Sequence, residues 1–128
     1  MKRVVITGIG IVSCLGNNQK EVYESLINSK SGITFSEEYK EYNLKSNIHG
    51  KPNIKLEDHI DRKIIRFMGE GSAYNYIAMN EAVKDSGLEE KDVSNISTGM
   101  IMGSGGPSIK NVILAADKTR EKNPKKMG

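Results

Sequence analysis

A β-branched run near the amino terminus limits the folds open to this chain more than any other feature. Val4, Val5, Ile6, Ile9, Ile11 and Val12 fall within nine residues, interrupted only by Thr7, Gly8 and Gly10. Side chains branched at Cβ lose rotamer freedom in a helix and fit a pleated surface better. Near-continuous apolarity suits a strand buried on both faces, as in an α/β sheet. Gly8 and Gly10 let another element approach the backbone closely, and Gly16-Asn17 turns the chain out. The run therefore predicts a central strand opening an α/β fold.

Three roles compete for that stretch. Gly8-x-Gly10-x-x-Ser13 approaches a dinucleotide-binding turn, but the last glycine is missing and no helix opens at Gly10. About twenty residues on, Asn28-Ser29-Lys30 offers no strand ending in an acid. Met1-Lys2-Arg3 followed by Ile11-Val12-Ser13-Cys14 loosely fits a secreted lipoprotein signal, although the apolar region is short and broken by Thr7 and two glycines. The third role is a packed strand without chemistry of its own.

After the turn, Asn18 can cap a helix, with Glu21 completing an approximate capping box. Val22, Leu26 and Ile27 line one side of that helix, and Lys30-Ser31-Gly32 ends it. Residues 36–59 sustain no period and read as a surface excursion with one extended segment near Ile48. A helix is predicted over 64–86: Phe67, Gly71, Tyr74 and Ala78 share a face that Met68, Met79 and Val83 widen. Gly69 and Gly71 weaken its first turns, and Ser86-Gly87-Leu88 fits a Schellman stop with Gly87 left-handed. A polar connection through Glu89–Val93 precedes a second buried strand, Thr98–Gly103, which breaks into Gly103-Ser104-Gly105-Gly106. Pro107-Ser108 can open another helix with Ile109, Val112, Ile113 and Ala116 on one face. From Lys118 the chain turns basic: Lys118, Arg120, Lys122, Lys125 and Lys126 against Glu121 alone. Met127-Gly128 supplies no cap, and the basic stretch 118–128 reads as cut rather than finished.

Four stretches carry a resemblance, in order along the chain: KRVVITGIGIVSCLGNN at 2–18, SGITF at 31–35, IDRKIIRFM at 60–68 and MGSGGPS at 102–108. They resemble the β-ketoacyl-acyl-carrier-protein synthases, the condensing enzymes of fatty-acid synthesis. The Asp-Arg-Lys and Arg-Phe-Met pattern resembles the synthase I branch. The resemblance implies the N-terminal part of a thiolase-like α/β fold over 1–128, in a cytoplasmic homodimer that uses no metal or redox cofactor. The implied reaction is a decarboxylative Claisen condensation on acyl carrier protein. In this family the nucleophilic cysteine lies in an Ala-Cys loop of the second half, with two histidines further on. None of those motifs occurs here, so no catalytic residue is assigned.

Composition narrows the alternatives. A chain of 128 residues with 37% hydrophobic and 27% charged side chains is globular in type rather than a disordered tail. No apolar stretch approaches the ~20 residues of a membrane helix. A net charge of +3 does not by itself argue for nucleic acid. With one cysteine there is no internal disulfide, which fits a reducing cytoplasm. Cys14 has only Ile11, Val12 and Leu15 near it in sequence and reads as a small buried hydrophobe. His49 and His59, ten apart with no cysteine near them, make no recognisable metal site.

The remaining candidates are basic residues and glycines. The loop Gly103–Gly106 lacks the spacing of a nucleotide loop; the resemblance puts Gly105 and Gly106 beside the acyl-chain pocket near the dimer partner. Pro107 stands where synthase I commonly has another glycine. The resemblance also places Lys63 and Arg66, and approximately Lys125 and Lys126, at the surface that docks acyl carrier protein. That partner is strongly acidic, so a basic cluster would steer it by long-range attraction. An ordinary solvated charged face is the plainer account of the same residues. A small stand-alone module that binds carrier protein is the other alternative to the enzyme.

Overall fold

The structure is a computed structural model that describes residues 3–123 and residue 125. In chain order its elements are α1 (Gln19–Ile27), β1 (Thr34–Phe35), α2 (Glu37–Glu41), β2 (Ile48–His49), a 3-10 turn (Leu56–Asp58), α3 (Arg62–Ile65), α4 (Glu70–Ser86), α5 (Glu90–Val93) and α6 (Ile109–Arg120). The two short strands pair antiparallel, Thr34 opposite His49 and Phe35 opposite Ile48. The extended segment expected near Ile48 is thus β2. The stretch from 36 also contains α2, which Ser36 starts by accepting the Tyr39 N–H.

The helix predicted over 64–86 is two pieces. Asp61 caps α3 by accepting the Lys63 N–H at 2.6 Å. The chain leaves α3 through two tight turns, Phe67 N–H to Ile64 O and Met68 N–H to Ile65 O. It re-enters a helix only after Gly69, which is extended. Two glycines within three residues make continuous helix costly there, by about 1 kcal/mol each relative to alanine. At the other end Gly87 is left-handed as predicted, at φ 69°, and its N–H donates to Lys84 O at 3.3 Å. The Leu88 N–H goes to Ser86 Oγ at 3.2 Å and not to a carbonyl of the last turn, so the Schellman pattern is only half made. Gly87→Ala is expected to destabilise the protein by about 1 kcal/mol through left-handed strain. The unfolding midpoint of the polypeptide carrying this segment checks it.

The amino-terminal run lies across α4, as the two glycines foretold. A Cβ on Gly8 would stand 2.2 Å from Ala82 O, and one on Gly10 would stand 1.8 Å from Ala78 O. Only glycine lets backbone meet helix backbone so closely. A tight turn follows, in which Ser13 N–H donates to Gly16 O and Gly16 N–H to Ser13 O. Helix α1 then begins with Asn18 accepting the Glu21 N–H, while the Glu21 carboxylate takes the Asn17 N–H.

Burial departs from the expected pattern. Among the described residues the buried hydrophobic side chains are Val22 (8% exposed), Ile60 (4%) and Ala73 (1%). Neither 4–12 nor 98–103 is in a ladder with another strand, and Val4 and Ile101 are 94% and 95% exposed. The expected burial of both is corrected: apolar sequence makes a strand possible, but only neighbouring strands and helices bury it. For the same reason Leu26 and Ile27 on α1 and Ile109, Val112 and Ile113 on α6 face outward. The accessible surface is 11010 Å². A closed monomer of 14.1 kDa would expose about 6,700 Å². What is described is therefore a helix-rich layer with open apolar faces and one two-stranded sheet.

Candidate functional site

The residue that opens α4, Gly69, meets the residue that opens α6, Ser108, a few residues beyond the end of α3. Lys63 lies within α3 and Arg66 ends it, both exposed. The Arg66 guanidinium lies 4.6 Å from the centre of the Phe67 ring. A cation over an aromatic face is restrained without losing its charge. Neither side chain is paired with a carboxylate among the described residues. Three residues of chain span at most about 11 Å, so Arg66 stays near Gly69. There the backbone touches Ser108: a Cβ on Gly69 would stand 2.8 Å from Ser108 Cβ. Ser108 in turn caps α6 by accepting the Asn111 N–H.

Between these two helix starts lies a cleft of about 330 Å³, lined by Gly69, Ser72, Tyr74, Gly106, Ser108 and Lys110 among others. Burial, then the nearby Glu70 carboxylate, raises the Tyr74 hydroxyl above the ordinary tyrosine value. Ser104 Oγ donates to Gly106 O at 2.7 Å and accepts the Gly106 N–H at 3.4 Å, which folds the glycine loop on itself. Gly106 lines the cleft, and Gly105 does not. Lys110 stands at the same cleft, and its position five residues beyond Gly105 gave no sequence signal. A second, more apolar groove of about 640 Å³ runs along α4, lined by Met68, Tyr76, Met79, Val83, Met100 and Met102 among others.

The basic end is less basic than its composition suggests. Lys118 pairs with Glu121 at 2.7 Å and Arg120 with Asp117 at 2.9 Å, both within α6 and its cap. Lys125 is exposed, whereas Lys126 lies outside the described residues. Cys14 is half-buried rather than buried; a Cβ on Gly32 or Gly50 would stand 2.8 or 3.0 Å from its sulfur. The His49 ring packs edge-on against Tyr39, 5.4 Å between centres. His59 borders a polar cleft with Asn17, Glu21 and Lys84. Among the described residues no group of three histidine, cysteine or acidic side chains is placed to hold a metal. No helix among them is long and apolar enough to cross a membrane.

Comparison with known proteins matches the whole sequence. Residues 1–128 fit the family described as "Beta-ketoacyl synthase, N-terminal domain". The chain is 47% identical over 120 residues to 3-oxoacyl-[acyl-carrier-protein] synthase 1 of Haemophilus influenzae, covering 94% of this chain and 30% of that protein. It is 46% identical over 121 residues to the synthase 1 of Escherichia coli, with the same coverage. Against 3-oxoacyl-[acyl-carrier-protein] synthase 2 of Staphylococcus aureus it is 32% identical over 127 residues, covering 98% of this chain and 31% of that one. The chain spans about 30% of the length of these curated relatives. Since the match runs through the crossing glycines, α3, α4 and the glycine loop alike, the chain belongs to the beta-ketoacyl synthase family, within its N-terminal domain.

Proposed function

We propose that this chain is the substrate-escorting part of a synthase 1-type condensing enzyme for fatty-acid elongation. The observation that carries the proposal is the family match from residue 1 to 128, at 46–47% identity to two proteins named synthase 1. In the proposed reaction an acyl chain is held on a cysteine thiolate as a thioester. Decarboxylation of malonyl carrier protein releases carbon dioxide and leaves a carbanion. The carbanion attacks the thioester carbonyl, the carbon–carbon bond forms, and the thiolate leaves. Such chemistry needs an activated thiol, groups that stabilise an enolate, and amides aimed at an oxyanion.

This chain contributes none of those groups in the proposed scheme. Its single cysteine is packed against Gly32 and Gly50, and no observation favours Cys14 as a nucleophile or a lipid-attachment site. Its share is docking and shape. Lys63 and Arg66, with Lys125 and Lys126, face the acidic carrier protein, while Gly105 and Gly106 leave room beside the acyl chain. Residues 1–128 belong to one thiolase-like domain of a cytoplasmic homodimer, with 36–59 on its outside. The open apolar faces and the 11010 Å² of surface support the view that further polypeptide covers this layer.

The test compares residues 1–128 alone with a polypeptide that continues through the Ala-Cys loop and the histidines. The longer protein is expected to elongate acyl carrier protein substrates. The short one is expected to show no elongation, strong binding of a hydrophobic dye and no cooperative unfolding. Elongation by the short chain itself would overturn the assignment.

A further inference from the structure

The amino-terminal segment owes its position to more than glycine contact. The Ile9 N–H donates to Asp85 Oδ2 at 3.0 Å, and the Ile11 N–H to Glu81 Oε2 at 2.9 Å. The other oxygen of the same Glu81 carboxylate accepts the Gln19 N–H, also at 2.9 Å. Gln19 closes the circuit, its side-chain amide donating to the Ile9 carbonyl. In an extended chain the N–H and C=O of residues 9 and 11 point to one edge, where a neighbouring strand would ordinarily pair with them. Here side chains from α4 and α1 occupy that edge.

Glu81 and Asp85 are one helical turn apart, so both carboxylates rise from the same face of α4. Their spacing of about 6 Å along the helix matches the nearly 7 Å between alternate residues of an extended segment. Gly8 and Gly10 bring the segment close enough for this match to be used. Gln19 is the first residue of α1, and its N–H has no partner within that helix. A carboxylate at that point also meets the positive end of the helix.

We infer that Glu81 and Asp85 act as a surrogate strand edge, latching residues 9–11 to α4 and, through the two oxygens of Glu81, fixing the start of α1. The latch sets the angle at which the chain turns from its first extended segment into its first helix. It is independent of what the protein catalyses.

Hydrogen exchange on the full polypeptide carrying this segment, read on peptides spanning 8–12 and 17–20, tests it. Charge-assisted bonds of this kind slow amide opening by roughly tenfold or more. Glu81→Ala is expected to speed exchange in both peptides by about that factor, while peptides within α4 keep their protection because alanine favours a helix. Asp85→Ala is expected to affect 8–12 alone. Glu81→Gln keeps one acceptor oxygen and is expected to release only one of the two amides. Unchanged exchange in both peptides of Glu81→Ala would overturn the latch. Should that variant fail to fold, wild-type exchange at both sites in Glu81→Gln would do the same.

Discussion

Gly10→Ala is expected to destabilise the protein by about 3 kcal/mol, near the upper end of what one inserted methyl costs in a packed interior. The new Cβ would stand 1.8 Å from Ala78 O and 2.7 Å from Ala82 N. Both are backbone atoms of α4, so no side-chain rotation relieves the clash. Either the segment lifts off the helix or α4 bends. Lifting would break the bonds from Ile9 and Ile11 to Asp85 and Glu81, since those distances leave no slack. Gly71→Ala is the matched control. A Cβ there meets nothing within 4 Å, and Gly71 lies inside α4. That change should be neutral or stabilising by up to about 1 kcal/mol. Unfolding free energies of the two variants, from denaturant titration of the full polypeptide, should move in opposite directions or differ by several kcal/mol. Equal free energies would mean that the crossing of segment and helix is not made.

Local signals in the sequence were legible where the chain satisfies them locally. Asn18, Ser108 and Gly87 mark helix ends because a cap needs only its own neighbours in sequence. The close approach at Gly8 and Gly10 was legible as a need, although not which helix would meet it. Helix α5 was missed although Asp92 accepts the Glu89 N–H at its start, because its four residues carry no apolar period. The two apolar runs misled for a different reason. Val4–Val12 and Thr98–Gly103 show which residues want cover, but a ladder needs partners distant in sequence, and none pairs with them among the described residues. At the candidate site, Lys63 and Arg66 stood out through motif and charge. Lys110 did not, because its place at the cleft arises only when α4 and α6 start side by side. Gly105 and Gly106 have open space where a Cβ would go. Nothing among the described residues requires glycine at either position, so any such requirement would have to come from outside them.

Reversing charge at Lys63 and Arg66 should separate carrier-protein docking from chemistry. Each change from a cation to glutamate alters the surface by two charges, so the double variant differs by four along α3 and its cap. Against an acidic partner, attraction becomes repulsion. Steering by such patches changes association rates by ~10–1000-fold at low ionic strength. In the full-length enzyme, Lys63→Glu with Arg66→Glu is expected to lower kcat/KM for carrier-bound substrates by roughly 10–100-fold, the lower half of that range. Added salt should narrow the gap, because a Debye length of about 8 Å at physiological ionic strength screens long-range attraction. A small thioester without the carrier should be condensed at an unchanged rate, since neither side chain is proposed to act in the chemistry. The single variants should be unequal. Arg66 is already restrained over Phe67, so it gives up less freedom on docking than Lys63 does. Its reversal also removes a ring contact that Lys63 lacks, and Arg66→Glu should therefore be the more damaging of the two. A double variant that condenses carrier-bound substrates at the wild-type rate in low salt would leave these residues as an ordinary solvated face. A loss of equal size with the small thioester would point instead to damage in α3, where Asp61 holds the Lys63 N–H.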